Sequence, residues 1–398
     1  MPKIRRIRPV LLSAAYANAH SNGEVLLHLP SQMRTTGLVE ITLDNGVIGL
    51  GEGYLAVFAP EVFKAIVDLV GPALIDRDPF ELERLIRDVA TITGYWSLQG
   101  AAQHVVSAFE IALQDCRAQT LQVPVWRLLG GETNRSLKLY ASGGDSIHPE
   151  AMSEELRAVQ ALGIGLFKIR ARNHQAAKAA WCQRHGQVLD IEIAIDMTQN
   201  LAVPSQSVSD ILEFLAKLGS LGGRTPYFLE EALGPQEIAS YLNLRAKVPH
   251  TRIAGGEIVT TAGELCQRIE RGCYDIAQPD ATVIGGITPT LEVFSTARRY
   301  GVDVYVHCWG GPVGMMANYH AAIAGGGRVT EWPMPAYPLR DALAMAPWKI
   351  QKGFLTLPDL PGLGMRLTPE VEKTYAYRPE AVYHCLVDPS KIPPANWT

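Results

Sequence analysis

From about residue 136 onward, short apolar runs alternate with amphipathic stretches, and this repetition constrains the fold more strongly than any other feature. Eight runs have the length of a strand: residues 137–141, 166–169, 191–196, 227–230, 252–255, 274–277, 303–307 and 328–332. Helical periodicity marks stretches between them, at residues 153–162, 208–218, 262–271 and 289–300. Strand and helix repeated in this way predict a parallel (β/α)8 barrel. A doubly wound open sheet is the alternative, but no G-x-G-x-x-G motif follows the first strand.

The composition is that of a globular protein with a large core. Of the 398 residues, 47% are hydrophobic and 19% are charged, which argues against disorder. A formal net charge of −4 disfavours nucleic acid and anionic membrane surfaces as partners. No apolar run approaches the roughly 18 residues that would span a bilayer. The six cysteines are scattered without a C-x-x-C pair, so we expect free buried thiols and a cytoplasmic location.

The first third of the chain predicts an α+β unit. Residues 38–50 alternate apolar and polar side chains around an Asp-Asn-Gly turn at 44–46, which indicates a β-hairpin. Residues 18–36 are polar and aperiodic and predict a mobile loop, whereas apolar positions within 105–116 lie on one face of a helix. Near the N-terminus, basic residues precede a short apolar run that begins with Pro9, which favours a first edge strand over a secretory signal.

A charged or titratable residue ends or follows most of the predicted barrel strands. The carboxyl ends of barrel strands come together at one mouth, where barrel enzymes carry their catalytic groups. One such group for each strand–helix unit therefore predicts an active site at that mouth. The residues are Lys168, Arg170, Asp196, Glu230, Glu257, Asp280, His307 and Glu331.

Three of these residues, Asp196, Glu230 and Glu257, follow consecutive strands and predict a metal site. Carboxylates that face one cavity repel one another unless a cation neutralises them, and hard oxygen ligands suit Mg²⁺. Each acid alone is more typical of a helix N-cap or a solvated surface group, and only the recurrence of the set favours a metal. Glu231 points to the opposite face of its strand from Glu230, so we expect it to support a ligand or to pair with a cation.

His307 is the candidate general base. Asp280, one strand–helix unit earlier, is placed to accept a hydrogen bond from Nδ1, which would fix the tautomer and raise the pKa of the imidazole. A lone histidine, however, is more often a satisfied core or surface residue. Glu331 is a candidate hydrogen-bond donor or electrostatic partner for a substrate oxygen, and the alternative is a salt-bridge residue.

Taken together, these motifs resemble the enolase superfamily, specifically its mandelate racemase subgroup. The likeness covers nearly the whole chain, and the motifs are highly specific as a set. It is carried by residues 167–170 (FKIR), 195–200 (IDMTQN), 229–232 (LEEA), 255–257 (GGE), 278–288 (QPDATVIGGIT), 306–307 (VH) and 330–332 (TEW), and, ahead of the barrel, by 107–115 (SAFEIALQD) and 124–131 (PVWRLLGG).

The resemblance implies an α/β fold: a modified TIM barrel, (β/α)7β with its last helix missing or irregular, and an N-terminal α+β capping domain completed by C-terminal residues. The expected divisions are 1–133 for the capping domain, 134–345 for the catalytic barrel and 346–398 for a C-terminal segment that packs on the capping domain. Two capping loops, at about 16–34 and 51–60, would select the substrate. The subgroup also implies a homo-oligomer, from dimer to octamer.

The resemblance further implies the chemistry. A base removes the proton α to a carboxylate, and a Mg²⁺ ion on Asp196, Glu230 and Glu257 stabilises the enediolate that results. The His307–Asp280 pair takes the place of the subgroup's His–Asp dyad.

One position departs from the subgroup's pattern. Many members carry Lys-x-Lys at the end of the second barrel strand, where the second lysine is a base, and here that residue is Arg170. Arginine stays protonated and is a poor base, whereas Lys168 keeps the position that binds the substrate carboxylate. His307 then remains as the obvious proton acceptor, with Tyr54 and Tyr95 as further candidates.

A single obvious base favours an acid-sugar (aldonate or aldarate) dehydratase, which removes the α-proton, eliminates a β-hydroxyl as water and yields a 2-keto acid. A racemase or epimerase ranks second, because it needs an acid/base group on each face of the substrate. A cycloisomerase of a sugar-acid lactone is also open. A binding or regulatory protein without activity is the alternative from another class, and the complete ligand set and dyad argue against it.

Overall fold

The computed structural model describes residues 1–16, 29, 31–131, 135–199, 204–384 and 396–397. Its first unit, called the cap below, is built on a three-stranded antiparallel sheet of β1 (Ile4–Ala15), β2 (Met33–Leu43) and β3 (Ile48–Glu52). The predicted hairpin is confirmed, since β2 and β3 pair around a turn in which Gly46 takes a φ of 84°. β1 pairs with β2 from end to end, which confirms the predicted first edge strand.

Helices pack on this sheet and complete the cap. They are α1 (Pro60–Val70), α2 (Leu82–Gly94), α3 (Ala101–Thr120) and the short α4 (Val125–Leu128), with 3-10 turns at Tyr54–Val57 and Gly71–Leu74. The helical face predicted within 105–116 lies in α3. This helix approaches β3 so closely that a Cβ atom at Gly51 would meet the carbonyl oxygen of Ala108, so only glycine fits there.

The mobile loop predicted at 18–36 is wrong in its last part. Residues 33–36 belong to β2, and Thr35 and Thr36 are buried there. Their hydroxyls are satisfied inside the protein, because Thr35 Oγ1 donates to the carbonyl of Ala381 at 2.7 Å and Thr36 Oγ1 lies 3.0 Å from the Tyr337 hydroxyl. This end of β2 was predicted to be a loop because its side chains are polar, although they have hydrogen-bond partners inside the protein. Residues 18–28 and 30 of that prediction lie outside the described residues.

Eight parallel strands form the second unit. Each of the eight predicted runs overlaps one of them, which confirms the barrel. Neighbouring strands pair in parallel from the first to the seventh, the eighth pairs with the first, and a bridge between Val306 and Thr330 closes the ring. The strands are β4 (Ser136–Gly143), β5 (Leu166–Arg170), β6 (Glu192–Asp196), β7 (Leu229–Glu230), β8 (Ile253–Gly255), β9 (Ile276–Ala277), β10 (Asp303–Val304) and β11 (Val329–Pro333).

Helices connect successive barrel strands. They are α5 (Pro149–Ala161), α6 (Ala176–Val188, after a 3-10 turn at Asn173–Gln175), α7 (Val208–Ser220), α8 (Ile238–Lys247), α9 (Ala262–Glu270), α10 (Ile287–Tyr300) and α11 (Pro312–Ala324). Local sequence sets their starts: α7 begins with a capping box in which Ser207 Oγ accepts from the amide of Asp210. After β11, where a complete (β/α)8 barrel has its eighth helix, the chain forms only the four-residue helix α12 (Leu339–Ala342). The barrel therefore has the (β/α)7β form.

The remaining chain contacts both units. β12 (Lys349–Gln351) and β13 (Phe354–Thr356) form a hairpin that pairs antiparallel with β4 of the barrel. Farther on, α13 (Pro369–Thr374) reaches the cap, where Arg8 of β1 binds both Glu40, at 2.7 Å, and Glu372, at 2.5 Å.

Two buried carboxylates of the cap join it to barrel helices. Glu110 on α3 accepts hydrogen bonds from the amides of Ile287, at 2.7 Å, and Thr288, at 3.1 Å, where α10 begins. Glu52, at the end of β3, accepts from the amides of Gly311 and Gly314 at the start of α11. Helix N-termini expose unsatisfied amides and attract negative charge, so these contacts are favourable.

Five cysteines are buried and unpaired, as predicted, and Cys385 lies outside the described residues. Within the described part of the chain, no helix is both long enough and apolar enough to cross a membrane.

Candidate active site at the mouth of the barrel

A cavity of about 280 Å³ lies where the cap meets the carboxyl ends of the barrel strands. Parallel register places the strand-end residues at one level, since Arg170 pairs with Asp196 and Asp196 with Glu230 on adjacent strands. The polar groups of the barrel that line the cavity are Lys168, Arg170, Asp196, Thr198, Glu257, His307, Trp309 and Glu331, and those of the cap are Tyr16, Arg34, Tyr54 and His104.

Two of the predicted metal ligands, Asp196 and Glu230, are buried, and Glu257, which is partly exposed, acts electrostatically on both. Burial raises the pKa of Asp196 to about 6, and Glu257 adds to that effect. Burial also raises the pKa of Glu230 well above its usual value, with Asp196 and Glu257 contributing repulsion. Because Glu257 opposes the ionisation of Asp196 and Glu230, a cation among the three would be stabilising. The donor set is therefore one that a hard divalent cation fits.

The side chains as placed do not converge on one point. Among the described residues, no three His, Cys, Asp or Glu side chains come together closely enough to ligate one ion. Asp196 Oδ1 accepts from the amide of Thr198 at 2.7 Å, and Glu230 accepts from Lys168 and from Gln278 Nε2. Protein donors thus occupy the oxygens that a cation would need, so the three residues stay a predicted ligand set.

Lys168 lies between two carboxylates on the cavity wall. Its Nζ pairs with Glu230 and with Glu331 Oε1, the latter at 2.9 Å. Burial opposes the charge on Lys168, but these two partners raise its pKa well above the usual value, so the ammonium group stays protonated. Lys168 is therefore a fixed cation beside the strand-end acids.

Glu331 is ionised in this arrangement. Burial disfavours the charged form, but Lys168 and His307 lower the pKa of Glu331 to about 2. Its Oε2 also accepts from the amide of Cys308 at 2.7 Å. An ionised carboxylate has no hydrogen to donate, so the geometry favours the salt-bridge interpretation of Glu331 over the hydrogen-bond donor.

Glu231 follows directly after the end of β7, so the alternation expected of adjacent strand residues does not apply to it. Its Oε1 accepts from the amide of Gly256 at 2.7 Å, next to Glu257. Burial raises the pKa of Glu231 to about 8, and repulsion from Glu257 adds to the shift. The backbone of Glu231 takes a left-handed φ of 40°, which is uncommon for a residue other than glycine. This conformation turns the chain directly after Glu230.

His307 and Asp280 form the predicted pair. His307 Nδ1 lies 2.8 Å from Asp280 Oδ2, and His307 Nε2 lies 3.4 Å from Glu257 Oε2 beside the cavity. The other oxygen of Asp280 accepts from the amide and hydroxyl of Thr282 and from Asn318 Nδ2 at 2.7–2.8 Å. Asp280 is held on several sides and fixes the orientation of the imidazole. Sequence reasoning missed the roles of Thr282 and Asn318, because neither residue type signals a positioning contact.

Carboxylates dominate the electrostatics of His307. Burial opposes its protonation, but Glu257, Glu331 and Asp280 raise the pKa of the imidazole to about 10. A cation held by Glu257 would offset one of these causes and return the imidazole toward the neutral form that a base requires.

Arg170 is occupied by its surroundings. Its Nη1 donates to both oxygens of Asp145, at 2.6 and 2.7 Å, and its guanidinium carbon lies 4.5 Å from the centre of the Trp309 ring. Nε lies 3.7 Å from Asp196 Oδ2. Burial opposes the charge, but Asp145 and other neighbours keep the pKa of Arg170 above its usual value. This position of the cavity therefore carries a cation and no base.

The cap contributes further groups, and Arg34 and Tyr54 fall within the two capping loops that the resemblance implied, although neither Arg34 nor His104 was predicted as a site residue. Tyr54 lines the cavity with its ring centre 6.0 Å from that of His307, whereas the other tyrosine candidate, Tyr95, is fully exposed and takes no part in it. His104, near the start of α3, also lines the cavity, and burial lowers the pKa of its imidazole to about 4. Arg34, on β2, is buried against the same space. No spacing rule in the sequence marks any of these positions.

Known proteins resemble this chain over most of its length. It is 26% identical over 366 residues to the D-gluconate dehydratase of Thermoproteus tenax, which covers 87% of this chain and 70% of that protein. It is 25% identical over 362 residues to the D-xylonate dehydratase of Haloferax volcanii, with 87% and 86% covered. The crystal structure of the 3,6-anhydro-D-galactonate cycloisomerase from Zobellia galactanivorans matches with a TM-score of 0.81 at 26% identity, over 94% of this chain and 99% of that one.

Two family models match the chain, one for each unit of the fold. The model for the N-terminal domain of mandelate racemase and muconate lactonizing enzyme covers residues 27–130, and the model for enolase C-terminal-like domains covers residues 151–371. Both agree with the cap and the barrel and with the strand-end residues that carry the resemblance. The chain therefore belongs to the mandelate racemase and muconate lactonizing enzyme family of the enolase superfamily.

Proposed function

We propose that this protein is an acid-sugar dehydratase, a hydro-lyase that converts an aldonate or aldarate into a 2-keto acid. The observation that carries the proposal is the His307–Asp280 pair, in which Asp280 holds Nδ1 and leaves Nε2 beside the cavity and Glu257. The two dehydratases to which the chain is similar act on sugar acids, and this likeness supports the same substrate class.

In the proposed reaction, His307 Nε2 removes the proton α to the substrate carboxylate and becomes an imidazolium. The electron pair moves into the carboxylate to give an enediolate, whose collapse expels the β-hydroxyl. The imidazolium returns its proton to the departing hydroxyl, so that water leaves. The enol product then tautomerises to the 2-keto acid. Asp280 stabilises the imidazolium, and Lys168 and Arg170 are cations beside the developing negative charge.

We further propose that Asp196, Glu230 and Glu257 hold Mg²⁺ when the enzyme works. The bound cation supplies positive charge that stabilises the substrate carboxylate and the enediolate. Positive charge at Glu230 would also replace Lys168 as the ion-pair partner of that carboxylate. The ammonium group of Lys168 would then be free to bind the substrate carboxylate. Glu331, ionised and paired with Lys168, would hold that ammonium group in place.

The surroundings of Arg170 favour a dehydratase over a racemase or epimerase. Inversion at the α-carbon needs an acid/base group on each face of the substrate. The position where many members carry a second base holds a guanidinium bound to Asp145 and stacked on Trp309. Without a base at this position, elimination remains possible while exchange on both faces is slow.

A cycloisomerase is the second candidate, because the similar structure from Zobellia galactanivorans is that of a 3,6-anhydro-D-galactonate cycloisomerase. A library of aldonates, aldarates and their lactones and anhydro forms separates the candidates. We expect 2-keto acid to form from at least one open-chain acid in D₂O. Inversion at the α-carbon with solvent deuterium and no keto product would instead indicate a racemase, and isomerisation limited to cyclic substrates would indicate a cycloisomerase.

The family resemblance also leads us to propose a homo-oligomer, from dimer to octamer. Light scattering at working concentration tests this, and a monomer would contradict it.

A further inference from the structure

Arg34 is a buried guanidinium whose hydrogen-bonding capacity is largely unused. The residue is 3% exposed and lines the cavity. Its Nη1 donates to the Tyr16 hydroxyl at 2.9 Å, whereas Nε and Nη2 have no hydrogen-bond partner among the described residues. A buried donor without a partner is costly, and the cost is larger for a charged group. Such a group in a binding cavity is best explained by a ligand.

The two unused nitrogens lie on the same edge of the guanidinium. Nε–H and the adjacent Nη2–H point in parallel and form the fork that binds both oxygens of a carboxylate. The third nitrogen, Nη1, is the one already bound by Tyr16. The structure therefore keeps free the edge that recognises a planar anion and uses the remaining nitrogen to hold the side chain in place.

No carboxylate of the described residues forms an ion pair with Arg34. Arg34 acts electrostatically on Glu52, but the two oxygens of Glu52 accept from the amides of Gly311 and Gly314 at the start of α11. The other neighbours are aromatic: the guanidinium carbon lies 5.5 Å from the centre of the Tyr54 ring, and the Tyr337 hydroxyl bonds the Arg34 carbonyl. The positive charge of Arg34 is thus left without a bound anion.

Tyr54 places this charge relative to the proposed base. Its ring contacts His307, with 6.0 Å between ring centres, and also contacts Arg34. His307 and Arg34 therefore flank the same aromatic ring and open into the same cavity. A short sugar acid that presents its α-carbon to His307 can extend its far end toward Arg34.

We propose that Arg34 binds a second carboxylate, at the end of the substrate opposite the reacting one, and that the preferred substrates are aldarates, the dicarboxylic sugar acids. This rests on the proposed dehydratase function and names its substrate class. Arg34 is a specificity-determining residue in this assignment, since it binds the far carboxylate and takes no part in proton transfer.

Matched substrate pairs test the assignment. Galactarate with galactonate, and glucarate with gluconate, differ only in the terminal group, and we expect kcat/KM for the better aldarate to exceed that of its aldonate by about 10- to 100-fold, the worth of a charge-assisted hydrogen-bonded pair. Arg34→Met should remove this preference, mainly by raising KM for the aldarate, and Arg34→Lys should restore part of it. Arg8→Met is the control, because Arg8 is a paired arginine of the same sheet away from the cavity.

Inhibitor binding decides the question independently of turnover. Glutarate should bind the Mg²⁺-loaded protein more tightly than pentanoate in calorimetry, and Arg34→Met should abolish that difference while thermal unfolding shows a folded protein. Equal binding of the two inhibitors by the wild type, or a preference for 6-phosphogluconate over glucarate, would overturn the dicarboxylate assignment. If no acid sugar is turned over, the proposed function fails, and the glutarate comparison still tests Arg34.

Discussion

Arg170 of the barrel and Arg34 of the cap line one cavity, yet their surroundings are opposite. Arg170 donates to both oxygens of Asp145 and stacks on Trp309. Arg34 has one tyrosine partner and leaves one edge unbound among the described residues. The charge of Arg170 is therefore balanced within the barrel, and this arginine serves to keep a fixed cation beside the strand-end acids. The cap keeps an unbalanced charge, which suits the recognition of a particular substrate.

For the carboxylates the contrast between cap and barrel is reversed. In the barrel, Asp196, Glu230 and Glu257 repel one another at the cavity. In the cap, Glu52 and Glu110 are satisfied by amides at the starts of barrel helices. The acids of the barrel thus repel one another, as the proposed cation site requires, whereas the acids of the cap connect it to the barrel. This difference can be tested by substitution on each side.

Removal of the cation should have the largest effect, on the barrel side alone. Glu230→Gln, or exhaustive chelation of the wild type, should lower activity by more than about 10³-fold, because the charge of a metal ion stabilises such a reaction by several kcal/mol. Calorimetry should show that Glu230→Gln no longer binds Mg²⁺. Glu155→Gln is the matched control, since Glu155 is a half-buried barrel acid that accepts from the Gly144 amide. Full activity after chelation would refute the metal assignment.

The barrel half of the site was predictable because its positions follow from periodicity. Strand ends recur at regular intervals and parallel register places them at one level, so spacing alone led to Asp196, Glu230 and Glu257. It also led to Asp280 and His307, which the structure places 2.8 Å apart. Spacing could not predict which of these side chains form ion pairs with one another. Nothing in the sequence indicated that Lys168 would bind Glu230 and Glu331 at once.

The cap half was not predictable in the same way. Tyr54, His104 and Arg34 come from a 3-10 turn, a helix and a strand, so no common period relates them. Their approach to the cavity depends on how the cap docks, and that depends on long-range contacts such as Glu110 with the start of α10. Arg34 was harder still to identify, because the polar stretch that contains it lies in β2 but was predicted to be a loop. Contacts between distant segments are what sequence patterns leave out.

Loss of the base should have the second-largest effect. His307→Asn should lower kcat by roughly 10²–10⁴-fold, the usual contribution of a general acid–base group, while Mg²⁺ binding in calorimetry stays intact. Asp280→Asn should lower it less, because the imidazole remains and only its orientation and pKa change. Turnover by His307→Asn near that of the wild type would move the base to Lys168 or to a group of the cap.

Disruption of the docking contact should affect stability more than chemistry. Glu110→Ala leaves the amides of Ile287 and Thr288 unsatisfied at the junction, and we expect a loss of about 1–3 kcal/mol in the free energy of unfolding measured with denaturant. Glu83→Ala, an exposed acid of α2, should change it by less than about 0.5 kcal/mol. An unchanged midpoint for Glu110→Ala would show that other contacts hold the cap, whereas a transition that splits in two would show that the cap unfolds separately from the barrel.

The smallest effect should come from His104, the cap's own imidazole in the cavity. Burial lowers its pKa to about 4, so it is neutral from pH 5 upward and its protonation does not change across the working range. It is then a hydrogen-bonding group for the substrate, and His104→Gln should lower kcat/KM by less than about 10-fold, within the worth of one neutral hydrogen bond. The pH profile of kcat decides between this and a catalytic role. If the cap only recognises substrate, the profile of His104→Gln between pH 5 and 9 keeps the wild-type shape. If a limb of the profile disappears, His104 exchanges a proton with the bound substrate. The cap then takes part in the chemistry, and the assignment of recognition to the cap and catalysis to the barrel is wrong.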